Sequence, residues 1–138
     1  NMECGDEAVR GLTTEAVNLL AAFNPYVNVI AEVSNKRECE AMVERNFPGQ
    51  LAGLMGRLMH RRLGNNPNFI KVLHRDPGRY SHFKGSSWEL SSAMVIGRSM
   101  YETDRIPKGW KKPANCLVNL VWVPTGFNLR TFSSAGIP

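Results

Sequence analysis

Between Asn68 and Lys84 the chain alternates apolar and polar residues and breaks that rhythm once, at Asp76-Pro77-Gly78. A period of two sends successive side chains to opposite faces of a strand, and Asp-Pro-Gly is turn chemistry. The stretch therefore predicts two short strands joined as a hairpin. On the first strand Phe69, Lys71, Leu73 and Arg75 oppose Ile70, Val72 and His74; on the second Tyr80, His82 and Lys84 oppose Ser81 and Phe83. Such a hairpin would carry a basic, histidine-bearing face, and cations of one strand would lie across from His82 on the other.

The remaining patterns place helices before this stretch and mixed elements after it. Val9, Leu12, Ala16, Leu19, Leu20 and Phe23 form a helical stripe that Asn24-Pro25 ends. Tyr26 to Val33 alternates and predicts a strand. Ser34-Asn35 suits the cap of a second helix running to Arg45, with Cys39, Met42 and Val43 on its apolar face. The clearest helix is Pro48 to Leu63, where Leu51, Leu54, Met55, Leu58, Met59 and Leu63 make one continuous stripe. Its other side gathers Arg57, His60 and Arg61 beside Gly49 and Gly53, a basic face where a backbone or a phosphate can come close.

Ser86-Ser87-Trp88-Glu89 matches a capping box and predicts a helix to about Met100, against which Met94-Val95-Ile96 reads locally as strand. Residues 102–114 read as a loop rich in charge and proline. Cys116 to Val123 and Phe127 to Phe132, on either side of Pro124-Thr125-Gly126, read as a final hairpin. The expected fold is α+β, a mainly antiparallel sheet of about four to five strands packed against three to four helices, in one domain spanning 1–138.

At 138 residues the chain is long enough to bury a core without metal or disulfide staples. Its longest apolar run, near Leu117 to Val123, is far short of the roughly 20 residues of a membrane-spanning helix. The first residues carry neither the basic nor the apolar segment of a signal peptide. Cys4, Cys39 and Cys116 are odd in number and widely spaced, which argues against structural zinc and for reduced thiols in a cytoplasmic or other reducing compartment, with Cys39 and Cys116 as small buried hydrophobes. No metal or other cofactor is expected.

Charge divides the chain. Residues 1–44 carry eight acids and three bases, a net of −5, whereas residues 45–138 carry four acids and fourteen bases, a net of +10. A basic half attracts polyanions, nucleic acid first among them and RNA before DNA. The expected contacts to phosphate are Lys71, Arg75, Arg79, Lys84, Lys108, Lys111, Lys112, Arg57 and Arg61. Trp110, set among cations, is either a platform for a base or a plug folded onto the core.

Three functions fit this pattern. Nucleic-acid binding comes first, extended to RNA cleavage if His82 or His74 serves as base or acid while Lys71, Arg79 or Lys84 holds the phosphate. In outline only, the layout resembles the small metal-independent ribonuclease toxins of bacteria, a resemblance that matches no motif. A cysteine hydrolase comes second: the order Cys4, His82, then Asn115 or Asn119 is similar to that of papain-like enzymes, although Glu3, Asp6 and Glu7 disfavour a thiolate. The C-x5-R spacing from Cys4 to Arg10 imitates a phosphatase loop, but Asp6 and Glu7 inside it would repel a phosphate. The third is an interaction module, in which the acidic helices of one copy or of an acidic partner meet the basic half of another.

Overall fold

The computed structural model describes residues 10–33, 35–62, 68–83 and 92–138, and these fall in two compact units, Asn1–Asn65 and Asn66–Pro138. The first is helical. Helices α1 (Arg10–Phe23), α2 (Lys36–Asn46) and α3 (Gly49–His60) enclose a core of Val17, Cys39, Val43, Met55, Leu58 and Met59. All but Val17 sit on an apolar stripe that the helical period predicts, and Val17 lies beside the predicted Ala16. The Asn35 side chain caps α2 by accepting from the Glu38 N–H, satisfying a donor that the first turn leaves over.

The expected strand at Tyr26 to Val33 does not form. Residues 24–27 turn, and only Val33 makes an isolated bridge. Ala31 N–H donates to the Leu58 carbonyl at 3.0 Å, so this extended segment is tied to the end of α3 and not to a ladder. Arg61 finishes the tie: its Nη1 donates to Asn24 Oδ1, Asn28 Oδ1 and the Val29 carbonyl at 3.1–3.2 Å.

The second unit overturns the expected antiparallel sheet. Strands β1 (Ile70–His74), β2 (Met94–Arg98) and β3 (Leu120–Trp122) form a three-stranded sheet in the order β1-β2-β3, and both pairings are parallel. The first strand of the predicted hairpin is β1. Its second strand is instead a 3₁₀ helix, Pro77–Phe83, because Asp76-Pro77-Gly78 starts a helical turn in which proline occupies the first position. Met94-Val95-Ile96 is strand, as its local pattern allows, and the capping-box residues 86–89 lie outside the described residues.

Both halves of the predicted last hairpin change partners as well. Helix α4 (Lys111–Leu117) occupies part of the expected loop, and residues 126–134 form helix α5 (Gly126–Ser134), capped by Thr125 Oγ1 accepting from the Asn128 N–H. Parallel neighbours require a crossover, and α4 lies in the one from β2 to β3.

Register fixes the two faces of the sheet. Leu73, Gly97 and Val121 are partners and share one face with Val95. The 3₁₀ helix, α4 and α5 cover that face: Leu73 and Val118 pack with Tyr80, while Phe132 packs with Ala114, Ile137 and Val121. Gly97 lets the Tyr80 ring lie on the strand, where a Cβ would stand 2.7 Å from the ring's Cζ. Val72, His74, Ile96, Arg98, Leu120 and Trp122 belong to the opposite face.

Candidate functional site

Parallel strands bring all their carboxyl ends to one edge, and here that edge is dense in polar side chains. It receives His74, Arg75 and Asp76 from β1, Arg98 and Ser99 from β2, and Trp122 with the Thr125 cap of α5 from β3. Arg75, Arg98 and Ser99 are buried. Burying charge is costly unless it is bonded, and Arg98 illustrates how the fold answers that cost. Its Nη1 donates to the carbonyls of Ser99 and Trp122 at 3.1 and 3.2 Å, locking the guanidinium over the ends of β2 and β3. Arg75 N–H donates to the Arg98 carbonyl at 3.1 Å and joins β1 to the same cluster. His74, Arg75 and Arg98 all keep polar or electrostatic partners.

Across the edge, His74 pairs with Arg98 and Arg98 with Trp122. Paired residues point to the same side, so imidazole, guanidinium and indole form one row on the face opposite α4 and α5. The centre of this row and its β3 end differ in exposure. Arg98 is 7 % exposed and Trp122 41 %.

Two buried hydroxyls near this edge, Ser99 Oγ and Tyr80 Oη, have no hydrogen-bond partner among the described residues. Burial pushes the Tyr80 hydroxyl far above its usual range, Asp76 adds to that shift and Arg98 opposes it. Tyr80 is therefore neutral at any ordinary pH. The segment after β2 is anchored in turn, since buried Asn128 donates through Nδ2 to the Tyr101 carbonyl and thereby fastens it to the start of α5.

The expected site residues separate on this frame. Lys71 and Arg75, expected on an open hairpin face, are buried; Arg79 is exposed, with its Nε 3.6 Å from Asp76 Oδ2. Lys84 lies outside the described residues, as does the side chain of His82. Lys108, Lys111 and Lys112 are exposed. Trp110 is a plug: its ring meets Tyr101 edge-on at 4.8 Å and lies 6.4 Å from Phe132. Arg57 and Arg61 are exposed and belong to the helical unit, where Arg61 holds the 24–29 turn. Gly49 and Gly53 receive no close backbone there, since a Cβ at Gly49 would meet nothing within 4 Å and one at Gly53 only the Arg57 side chain.

Both asparagines of the papain-like order bond backbone groups through their side chains. Asn115 Nδ2 donates to the Gly136 carbonyl at 2.9 Å, and Asn119 Oδ1 accepts from Val95 N–H at 2.8 Å while Asn119 N–H donates back to the Val95 carbonyl. Cys4 lies outside the described residues. Cys116 is a free thiol but exposed on α4, and Cys39 is fully buried as expected yet disulfide-bonded.

Sequence reasoning missed Arg98, Ser99 and Trp122, because their assembly depends on a parallel pairing that no local pattern encodes. Asn128 had a readable signal, the Thr125-x-x-Asn128 spacing of a helix cap. Among the described residues no cluster of histidine, cysteine or carboxylate side chains could hold a metal ion, and no helix is long and apolar enough to cross a membrane. No family model, curated protein or solved structure matches the chain.

Proposed function

We propose that the second unit is a ligand-binding α/β module that takes a phosphate-bearing small molecule at the carboxyl edge of its sheet. The observation that carries this reading is the pair of buried arginines, Arg75 and Arg98, held at the ends of adjacent parallel strands beside the Ser99 hydroxyl, which has no hydrogen-bond partner among the described residues. Open parallel sheets bind ligands outside the carboxyl ends of their strands, and a guanidinium fork suits a phosphate better than any other common anion except carboxylate. The start of α5 lies at the same end of the sheet and has no acidic residue in its first turn to repel an anion.

Thermal denaturation of the whole chain tests this reading, with phosphate and pyrophosphate compared against chloride at equal ionic strength. A ligand at a hundredfold excess over its Kd stabilises the folded state by about 2.7 kcal/mol. Pyrophosphate should raise Tm accordingly, while Arg98→Gln and the milder Ser99→Ala should reduce the rise. Equal Tm values in chloride, phosphate and pyrophosphate would overturn the proposal.

The exposed Lys108, Lys111 and Lys112 favour a second reading, binding of RNA through the basic surface. Its mark is a steep salt dependence, about 0.9 in log–log slope for each phosphate contacted on a duplex. Anisotropy of a labelled RNA oligonucleotide at two salt concentrations, repeated after changing all three lysines to glutamine, measures it.

A further inference from the structure

We infer that the row formed by His74, Arg98 and Trp122 takes a nucleoside phosphate, with the phosphate at Arg98 and the base laid on the Trp122 indole. The inference rests on the reading of this edge as a phosphate site and adds the ring that the ligand carries.

Register alone places the three side chains. His74 pairs with Arg98 and Arg98 with Trp122, all on one face, and neighbouring strands stand about 4.8 Å apart. The row therefore offers a fixed cation flanked on one side by an imidazole and on the other by an indole. Arg98 is held against β3 by donating to the Trp122 carbonyl itself, so cation and indole share one rigid frame.

Exposure supplies the second argument. Of the other large aromatics described in this unit, Tyr80 is 1 % and Phe132 2 % exposed and Trp110 lies against Tyr101, while Phe127, on α5 and outside the row, is 42 % exposed. Trp122 keeps 41 % of its surface open beside a buried cation. An indole face is apolar and polarisable and attracts a flat base by stacking, which contributes comparably for every base. Arg98 supplies the charge complementary to the ester phosphate, and His74 is its register neighbour on the other side. A ring-less anion would leave the indole uncovered.

The test compares affinities of the full-length protein for adenosine monophosphate, uridine monophosphate, ribose 5-phosphate and inorganic phosphate by titration calorimetry. Wild type, Trp122→Ala and Trp122→Phe are measured after circular dichroism shows that each is folded. One stacked base contributes enough for about a fivefold gain at the low end. Both nucleotides should bind about fivefold or more tightly than ribose 5-phosphate. Trp122→Ala should erase that preference and leave ribose 5-phosphate binding unchanged, whereas Trp122→Phe should keep most of it.

Equal affinities for nucleotide and ribose 5-phosphate, or a preference that survives Trp122→Ala, would overturn the inference while leaving the phosphate site intact. Failure of all four compounds would overturn both. Tight binding of an RNA oligonucleotide that is indifferent to Trp122, with no mononucleotide binding, would assign nucleic acid to the exposed lysines and also overturn it.

Discussion

The helical unit and the parallel unit bury different chemistry. Among the described residues, the helical unit's buried side chains are apolar apart from Thr13, whereas the parallel unit buries Lys71, Arg75, Arg98, Ser99, Asn128 and Thr131 beside its apolar core. Apolar burial stabilises without regard to direction. Buried cations and amides stabilise only when their partners are in place, and removing a partner leaves the full desolvation cost. The helical unit is thus built as a scaffold. The parallel unit spends stability on buried polar groups, of which Arg75, Arg98 and Ser99 stand at the carboxyl edge of its sheet, the pattern expected where a site is organised.

The largest effect should come from the scaffold. Leu58→Ala removes a fully buried side chain from the α1–α3 core and should cost about 2–5 kcal/mol, read by urea denaturation with far-ultraviolet circular dichroism. A loss below about 1 kcal/mol would mean that this core is not what holds the helices. It would weaken the contrast between the units.

Gly97→Ala should cost roughly 1–3 kcal/mol by overpacking. A Cβ there would press on the Tyr80 ring, which is 1 % exposed and has nowhere to turn. The same urea titration measures it. A neutral result would show that the 3₁₀ helix slides freely on the sheet and that the edge is less rigid than the register implies.

The smallest effect near neutral pH should be that of Tyr80→Phe, within about 0.5 kcal/mol, because the hydroxyl it removes has no partner to lose. Its signature lies in alkali. The folded pKa of Tyr80 is raised above the unfolded value of about 10. Stability linked to this group is therefore complete below about pH 10 and is lost as pH rises from there through the folded pKa. Tyr80→Phe should unfold later than wild type as pH is raised above 10. Equal alkaline sensitivity would sharpen the comparison the other way, by showing that Tyr80 is not deeply desolvated.

Much of the helical unit was legible in the sequence, and for a simple reason. The stripes of α1, α2 and α3 repeat every three or four residues, and packing on such a stripe is local in origin. Asn35 as a cap was legible too. In the parallel unit β1 is legible as to both type and place, and β3 falls inside the strand predicted over Cys116 to Val123. The alternation of Ile70 to His74 specifies a strand and its faces, yet says nothing about whether the neighbour runs parallel or antiparallel. Asp76-Pro77-Gly78 suits a tight turn and a 3₁₀ start equally, since proline's fixed φ serves both. Phe127 to Phe132 was misread as strand because its apolar spacing is ambiguous over so short a run. Thr125 decides the matter by capping α5.

By itself, then, the sequence determined that the front of the chain is helical, that Ile70–His74 is a strand, and that charge is divided between an acidic front and a basic remainder. These properties are carried by near neighbours or by composition. Only the tertiary structure decided that Lys71 and Arg75 are buried, that Trp110 faces inward, and that His74, Arg98 and Trp122 stand in one row. Those three residues are each 24 positions from the next. What joins them is the register of parallel strands, set by which helical segments cross over and which face they cover, a property of the whole packed unit.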